Sequence, residues 1–290
     1  MRITGNRMID LAAASNSRTQ SDAATASTQV TSGLRVEKAS DDPTAWAAAE
    51  RAKLHRTLSR GTLDAVASSR DRLDETEASL ATIGDAVSEI RALAIQGSSS
   101  SYNADNRAEI AANVRSLMAS ALSAANARSS DGEYLLAGSA SLTEPFNAAG
   151  TYAGNANARS IPITEGANAV STVTGAELTA AAGVDIFPLL DRVANALAAN
   201  DQTALAATLD DLQTATKQMG LARTRVGGAM NVLDETKLAH TRLQDNLDRE
   251  IAGRVEIDTV AAASNLAKAS QALEVSRAVS SHVISLLDPR

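Results

Sequence analysis

The 290-residue chain contains no cysteine, which removes disulfide frameworks, thiol nucleophiles and zinc-thiolate centres from consideration. Aromatic side chains are nearly as scarce, at two Phe, three Tyr and one Trp. Hydrophobic residues reach 44% of the sequence, but alanine supplies much of that share. Burial stabilises by roughly 25 cal/mol per Å² of apolar area, so an alanine-rich chain gains little per residue when it folds alone. Alanine is nonetheless the best helix former. The composition therefore predicts long, closely packed helices that draw part of their stability from other chains.

Basic charge is also in short supply. The net charge is −7, and Lys and Arg are interleaved with acids along the chain, the pattern of solvated faces and ion pairs. Nucleic acid, which needs clustered cations to neutralise phosphate, is not an expected partner. No run of about 18 apolar residues is present to cross a bilayer, so no membrane insertion is expected. The segment from Ile3 to Ala14 is interrupted by Asn6, Arg7 and Asp10. It lacks the apolar core of a secretory signal, so export, if it occurs, uses no conventional cleaved leader.

What the chain does contain is helical periodicity broken at readable points. Residues 4 to 32 are rich in Ala, Ser, Thr and Asn, with Met8, Ile9, Leu11 and Val30 as the few large apolar side chains. So thin a stripe holds poorly in water, and this segment is expected to be disordered or weakly helical in a free monomer. Gly33 can end it by taking a left-handed conformation. Asp42 then offers an N-cap and Pro43 a first helical residue; Ala45 at the third position rules out a full capping box.

From Pro43 a helix is predicted to about Gln96, carrying Val66, Leu73, Leu80 and Val87 at seven-residue spacing, with Ile83 and Ile90 as companions. Gly97 and Ser98 to Ser101 close it in a loop. A third helix is expected from about Asp105, with Ile110, Val114, Leu117 and Ala121 on one face, stopping near the turn signal Asp131-Gly132. Residues 137 to 184 are rich in Gly, Asn, Thr and Ser, with β-prone pieces at Ser160 to Thr164 and Ala169 to Thr174. They read as a small insertion projecting from the helices. Helix resumes near Phe187 and breaks at Asn200-Asp201. A very long helical region then runs from Thr203 towards Leu287. Its core candidates are Val226, Met230, Leu233, Leu247 and Ile251. Its last part carries Leu266, Leu273, Ser280 and Leu287 at seven-residue spacing, with Ala262, Ala269, Ser276 and Val283 as companions.

Sites for chemistry are missing. The three histidines, His55, His240 and His282, form no His-x-x-x-His zinc pair. His240 falls seven residues from both Leu233 and Leu247, a packed or partly packed position. Acids cluster at Asp41-Asp42, Asp71/Asp74/Glu75, Asp210-Asp211 and Asp245/Asp248/Glu250, each beside a basic residue or at a helix start. Gly227-Gly228 lies inside a helical pattern with no preceding strand, which fits close helix approach or a kink better than a phosphate loop. No catalytic residue, metal ligand or cofactor is assigned.

Two stretches carry a family resemblance. Thr31-Ser32-Gly33-Leu34-Arg35-Val36 followed by Ser40-Asp41-Asp42-Pro43 resembles the N-terminal signature of bacterial flagellin-like axial proteins, in the form found in hook–filament junction proteins, the third hook-associated protein family. Asp131-Gly132-Glu133-Tyr134-Leu135-Leu136-Ala137-Gly138 with Pro145-Phe146 is similar to their Asp-Gly-x-Tyr-x-Phe-Ala-Gly … Pro-Phe passage, with Leu136 in place of Phe. The resemblance implies terminal segments that order on assembly and a middle region facing outward. It also implies an extracellular, flagellar location, reached unfolded or partly folded by the flagellar type III route. The implied partners are copies of the chain, the first hook-associated protein on the hook side, flagellin on the filament side, and an export chaperone.

The expected fold is mainly α: an elongated antiparallel bundle or coiled coil of the N- and C-terminal segments with a small β-containing insertion. Three domains are expected. Residues 1–42 with 256–290 form a terminal axial domain, 43–136 with 185–255 a helical bundle, and 137–184 a surface-projecting β/loop domain. Gly33, Asp42 and Pro43 form the hinge. Met8, Leu11, Val30, Leu34, Leu266, Leu273, Val283 and Leu287 are the assembly-packing candidates. The expected function is a non-enzymatic structural link between the hook-associated zone and the filament, with a short flagellin as the alternative. A chemoreceptor-like hairpin would need a membrane anchor and continuous heptads through its tip, and the sequence offers neither.

Overall fold

A computed structural model describes residues 5–164 and 166–287. The chain is mainly α, with helices α1 (Gly5–Ser32), α2 (Pro43–Gly97), α3 (Ala104–Ala125), α4 (Ile186–Ala198), α5 (Gln202–Val255) and α6 (Thr259–Leu287). One small antiparallel sheet pairs β1 (Ser160–Thr164) with β2 (Ala167–Val170). The chain divides into two compact units that share the long helices: Met1–Ser59 with Arg242–Arg290, and Arg60–Thr241.

The Arg60–Thr241 unit is organised around the heptad face of α2. Val66, Leu73, Leu80, Ile83, Val87 and Ile90 are all buried there. They share one core with Ile110, Val114 and Ala121 of α3, with Leu189, Leu190, Val193 and Leu197 of α4, and with Leu205, Leu212, Val226, Met230 and Leu233 of α5. Spacing of three and four residues brings each set onto one side of its helix. Buried polar side chains close the ends. Arg107 donates to Gly97 O at 2.7 Å and Ser99 O at 2.8 Å, satisfying carbonyls that the end of α2 leaves free. Asn200, at φ +54, makes the turn between α4 and α5, and Asp201 Oδ1 accepts the Ala204 N–H at 2.9 Å.

Helix α3 ends at Ala125, six residues before the expected turn signal. Beyond Ala125 the backbone pairs with the following hairpin, the Leu135 N–H donating to Ala127 O at 3.1 Å and the Ser129 N–H to Glu133 O at 2.8 Å. The Asn126 side chain holds Phe146, its Oδ1 accepting the Phe146 N–H at 2.9 Å and its Nδ2 donating to Phe146 O at 2.7 Å. Asp131-Gly132 is a turn, with Gly132 at φ +80, but it tips a hairpin whose arms meet at the Arg128–Tyr134 bridge. Strand β2 begins two residues earlier than the β-prone piece and ends at Val170.

Segment 137–184 contributes Phe146, Ala169, Val173 and Leu178 to the same core as α2 and α5. Phe146 meets Phe187 at 4.9 Å and Tyr152 at 5.2 Å between ring centroids. Gln218 of α5, 3% exposed, accepts the Val184 N–H at 2.9 Å and donates to Glu177 O at 2.7 Å and Thr179 O at 3.0 Å. His240 Nε2 donates to Ile163 O at 2.8 Å, which ties β1 to α5. Arg72 of α2, also buried, donates to Glu133 Oε2 at 2.9 Å and Tyr134 O at 2.7 Å, while Arg159 reaches the same carboxylate at 2.6 Å. The segment is thus packed on the helices through Phe146, Val173 and Leu178 and hydrogen-bonded to α5 at Ile163, Glu177, Thr179 and Val184.

Candidate functional site: the joint and the terminal helix pair

The joint follows from three local choices. Gly33 takes φ +71, a conformation open to glycine, and its N–H returns to Gln29 O at 3.0 Å to close α1. Asp42 Oδ1 accepts the Ala45 N–H at 3.0 Å and the Thr44 hydroxyl at 2.8 Å, so α2 starts at Pro43 with a satisfied first turn. The Ala45 N–H first, then the Thr44 hydroxyl and the nearby Arg35 guanidinium, hold the Asp42 carboxyl at about 2. Asp41 acts on the other side of the joint, where its Oδ2 accepts the Glu37 and Lys38 N–H groups at 3.1 and 3.2 Å and so shapes the connecting strap.

Between these ends the strap lies against the C-terminal half of the chain. Leu34 bridges Glu256 in antiparallel fashion. The Arg35 N–H donates to Val255 O at 2.7 Å, and the Ile257 N–H donates to Gly33 O at 3.0 Å. Val36, Ala45, Ala49 and Val255 are buried together, with Leu34, Trp46 and Ile251 packed on them. Of these only Leu34 and Ile251 stood out as candidates in the sequence. The others belong to no long periodic run, and small residues such as Ala45 and Ala49 carry no signal of burial.

The expected helical run from Thr203 to Leu287 is interrupted at Glu256 to Asp258. Asp258 restarts it, its Oδ1 accepting the Val260 and Ala261 N–H groups at 2.9 and 3.1 Å. Helices α1 and α6 then pack against each other, antiparallel, with Gly33 beside Ile257 at one end and Ser280 reaching Ala12 O at the other. In α1, expected to be weakly ordered, the structure is one 28-residue helix. Thr25, Thr28 and Thr31 donate their hydroxyls to the carbonyls four residues back.

The inward positions of this pair are small or polar in α1: Ala12, Asn16, Thr19, Ala23 and Ala26. In α6 they are Ala262, Leu266, Ala269, Leu273, Ser276, Ser280 and Val283. Leu266, Leu273, Val283 and, at the joint, Leu34 are accordingly half-buried, whereas Met8, Leu11 and Val30 are exposed, Leu11 at 63%. The side chain of Leu287 lies outside the described residues. Val260, Val275 and Val279 of α6 also face outward. Val275 and Val279 line a groove of about 510 Å³ together with Ala12, Ser15, Thr19 and Ala272. Charge is sparse on these helices, with four charged residues in the 28 of α1 and three in the 29 of α6. The α1 side of the seam is small or polar, and Leu266, Leu273 and Val283 of α6 are only half-buried against it, while Met8, Leu11, Val275 and Val279 stay exposed. Little large apolar surface is therefore buried within the pair.

Leu247 is buried and Ile251 half-buried on the stretch of α5 that approaches the joint. Gly227 and Gly228 stand in unbroken helix. A Cβ added at either would meet nothing within 4 Å, so neither serves a close helix approach within the chain. His55 and His282 are exposed and His240 is half-buried. Among the described residues no cluster of three or more His, Cys, Asp or Glu is placed to hold a metal ion, and no helix is long and apolar enough to cross a membrane.

A family model described as the bacterial flagellin N-terminal helical region matches residues 3–141. A flagellin of Brucella melitensis biotype 1 is 22% identical over 233 residues, spanning 79% of this chain and 76% of its own length. The fold matches that of a candidate flagellar hook-associated protein of Vibrio parahaemolyticus, with a TM-score of 0.69 and 21% identity over 74% of this chain and 100% of the other. It also matches FlgL of Xanthomonas campestris, with a TM-score of 0.61 and 18% identity over 70% and 99% of the two chains. The flagellar hook-associated protein 3 of Legionella pneumophila is similar as well, with a TM-score of 0.61 and 16% identity over 70% and 97%.

Proposed function

We propose that this chain is a structural subunit of the bacterial flagellum that joins the hook-associated zone to the flagellin filament. The observation that carries the reading is the thinly packed terminal pair, with Met8, Leu11, Val275 and Val279 exposed and the α1 side of the seam made of small or polar residues. Such a surface is completed by packing against further subunits, and the fold shared with hook-associated proteins supports a flagellar assembly as their source. Residues 1–42 with 256–290 are then the axial domain that orders fully only in the assembly. Residues 43–136 with 185–255 form the pre-folded bundle, and 137–184 face the exterior of the flagellum.

The partners in this reading are other copies of the chain, the first hook-associated protein towards the cell and flagellin towards the tip. The subunit reaches them through the flagellar type III route, escorted by a chaperone. Ordering a residue costs about 1–2 kcal/mol of backbone entropy, so unfolded terminal helices suit export and acquire their stability on docking. Chemistry is not required at any step.

The match to flagellin sequences favours one other reading, in which the chain is itself a short flagellin. Polymerisation separates the two. Purified chain seeded onto filament fragments should add at most a short zone and stop. Growth of long filaments from this chain alone would assign it to the filament instead.

A further inference from the structure

The link between α5 and α6 is Glu256-Ile257-Asp258, which contains neither glycine nor proline. None of these side chains forbids a helix. The ladder of α5 runs as far as Glu256, whose N–H donates to Ala252 O at 2.9 Å, and resumes where the Ala262 N–H donates to Asp258 O at 2.8 Å. A continuous helix would bridge the gap with five bonds. Three are Ile257 N–H to Gly253 O, Asp258 N–H to Arg254 O and Thr259 N–H to Val255 O. The other two would use the Val260 and Ala261 N–H groups, which the Asp258 carboxylate takes instead.

Each of the first three bonds loses a partner to the strap. The Ile257 N–H donates to Gly33 O at 3.0 Å. Arg254 O accepts the Arg35 guanidinium at 2.8 Å. Val255 O accepts the N–H groups of Arg35 at 2.7 Å and Val36 at 3.3 Å. Arg35 is held in place by Asp42, 3.3 Å away, the same carboxylate that caps α2.

We infer that the strap Gly33–Asp42 is a latch, with Arg35 as its bolt, that imposes the break between α5 and α6. When it is released, the two close into one helix through Glu256-Ile257-Asp258. The exchange is nearly bond for bond, so what favours the latched state is the cation on the carbonyl end of α5, the burial of Val36 against Ala45, Ala49 and Val255, and the Asp258 cap of α6. The latch is a property of the single chain. Its use, to set the course of the outward-facing helix α6 before docking, rests on the proposed assembly role.

Amide hydrogen exchange on the full-length monomer tests this without any assembly step. In Arg35→Ala, protection factors at Asp258 and Thr259 should rise by roughly tenfold or more as these amides enter a helix. Arg35→Lys, which keeps a donor for Arg254 O, should stay near wild type. Asp258→Ala removes the cap without touching the strap and should raise protection at positions 258 and 259 by a smaller factor. Unchanged or lower protection at these amides in Arg35→Ala overturns the latch. If that substitution unfolds the joint outright, seen as lost protection from Leu247 to Ile251 on α5, Asp258→Ala decides by the same criterion. A chain with a proven latch that fails to join flagella would refute only the assembly role.

Discussion

Phe146→Ala distinguishes a middle segment that belongs to the main core from one that folds beside it. Phe146 is 1% exposed, stacks edge-on with Phe187 of α4 and touches Tyr152. Its surroundings cannot collapse easily, because Gly150 and Gly175 already bring backbone against these rings. A Cβ on Gly150 would fall 2.1 Å from Phe187 Cβ, and one on Gly175 would fall 2.9 Å from the Phe146 ring. A Phe→Ala change in such a setting costs about 3–5 kcal/mol. For a urea dependence near 2 kcal/mol per M, the unfolding midpoint should drop by about 1.5–2.5 M. Far-UV circular dichroism is the assay, because it reports the helices and hardly sees residues 137–184. If the helical transition keeps its wild-type midpoint while only near-UV signals from the segment change, the segment is energetically separate and the shared-core argument fails.

Gly228→Ala should raise monomer stability by about 0.5–1 kcal/mol, since the added methyl meets no neighbour and helical glycine is costly; a loss in a thermal melt would show that α5 needs glycine there. Gln218→Ala leaves the Val184 N–H and the Glu177 and Thr179 carbonyls without their partner, and should cost about 1–3 kcal/mol by chemical denaturation. Glu133 is held below the ordinary carboxylate range by Arg159 first and then by the Ser141 hydroxyl. The stability it adds is therefore complete above that range and lost as pH falls through its lowered value. Glu133→Gln should accordingly melt below wild type at neutral pH, with the gap narrowing in acid; a gap independent of pH would refute the electrostatic account.

How much of this was legible in the sequence depends on the range of the forces involved. The heptad positions from Val66 to Ile90 and the stop-and-start chemistry of Gly33, Asp42 and Pro43 are written locally, and the structure places them in a buried seam and a capped joint. The end of α3 is not local. The backbone after Asn126 pairs with Glu133 and Leu135 instead of continuing the ladder, and the Asp131-Gly132 signal belongs to that hairpin. The break at Glu256 to Asp258 is also tertiary, since the strap that imposes it lies more than two hundred residues earlier in the chain. Composition signals long helices, which the structure has. It does not reveal that Met8, Leu11 and Val30 would point away from α6, because one thin stripe fits either an inner or an outer face.

The central claim, that this chain joins hook-associated zone to filament, is tested most directly by deleting its gene and examining the cells by electron microscopy with analysis of the medium. The account predicts intact hooks, no filaments, and flagellin shed as monomer. Normal filaments on cells lacking the chain would contradict it.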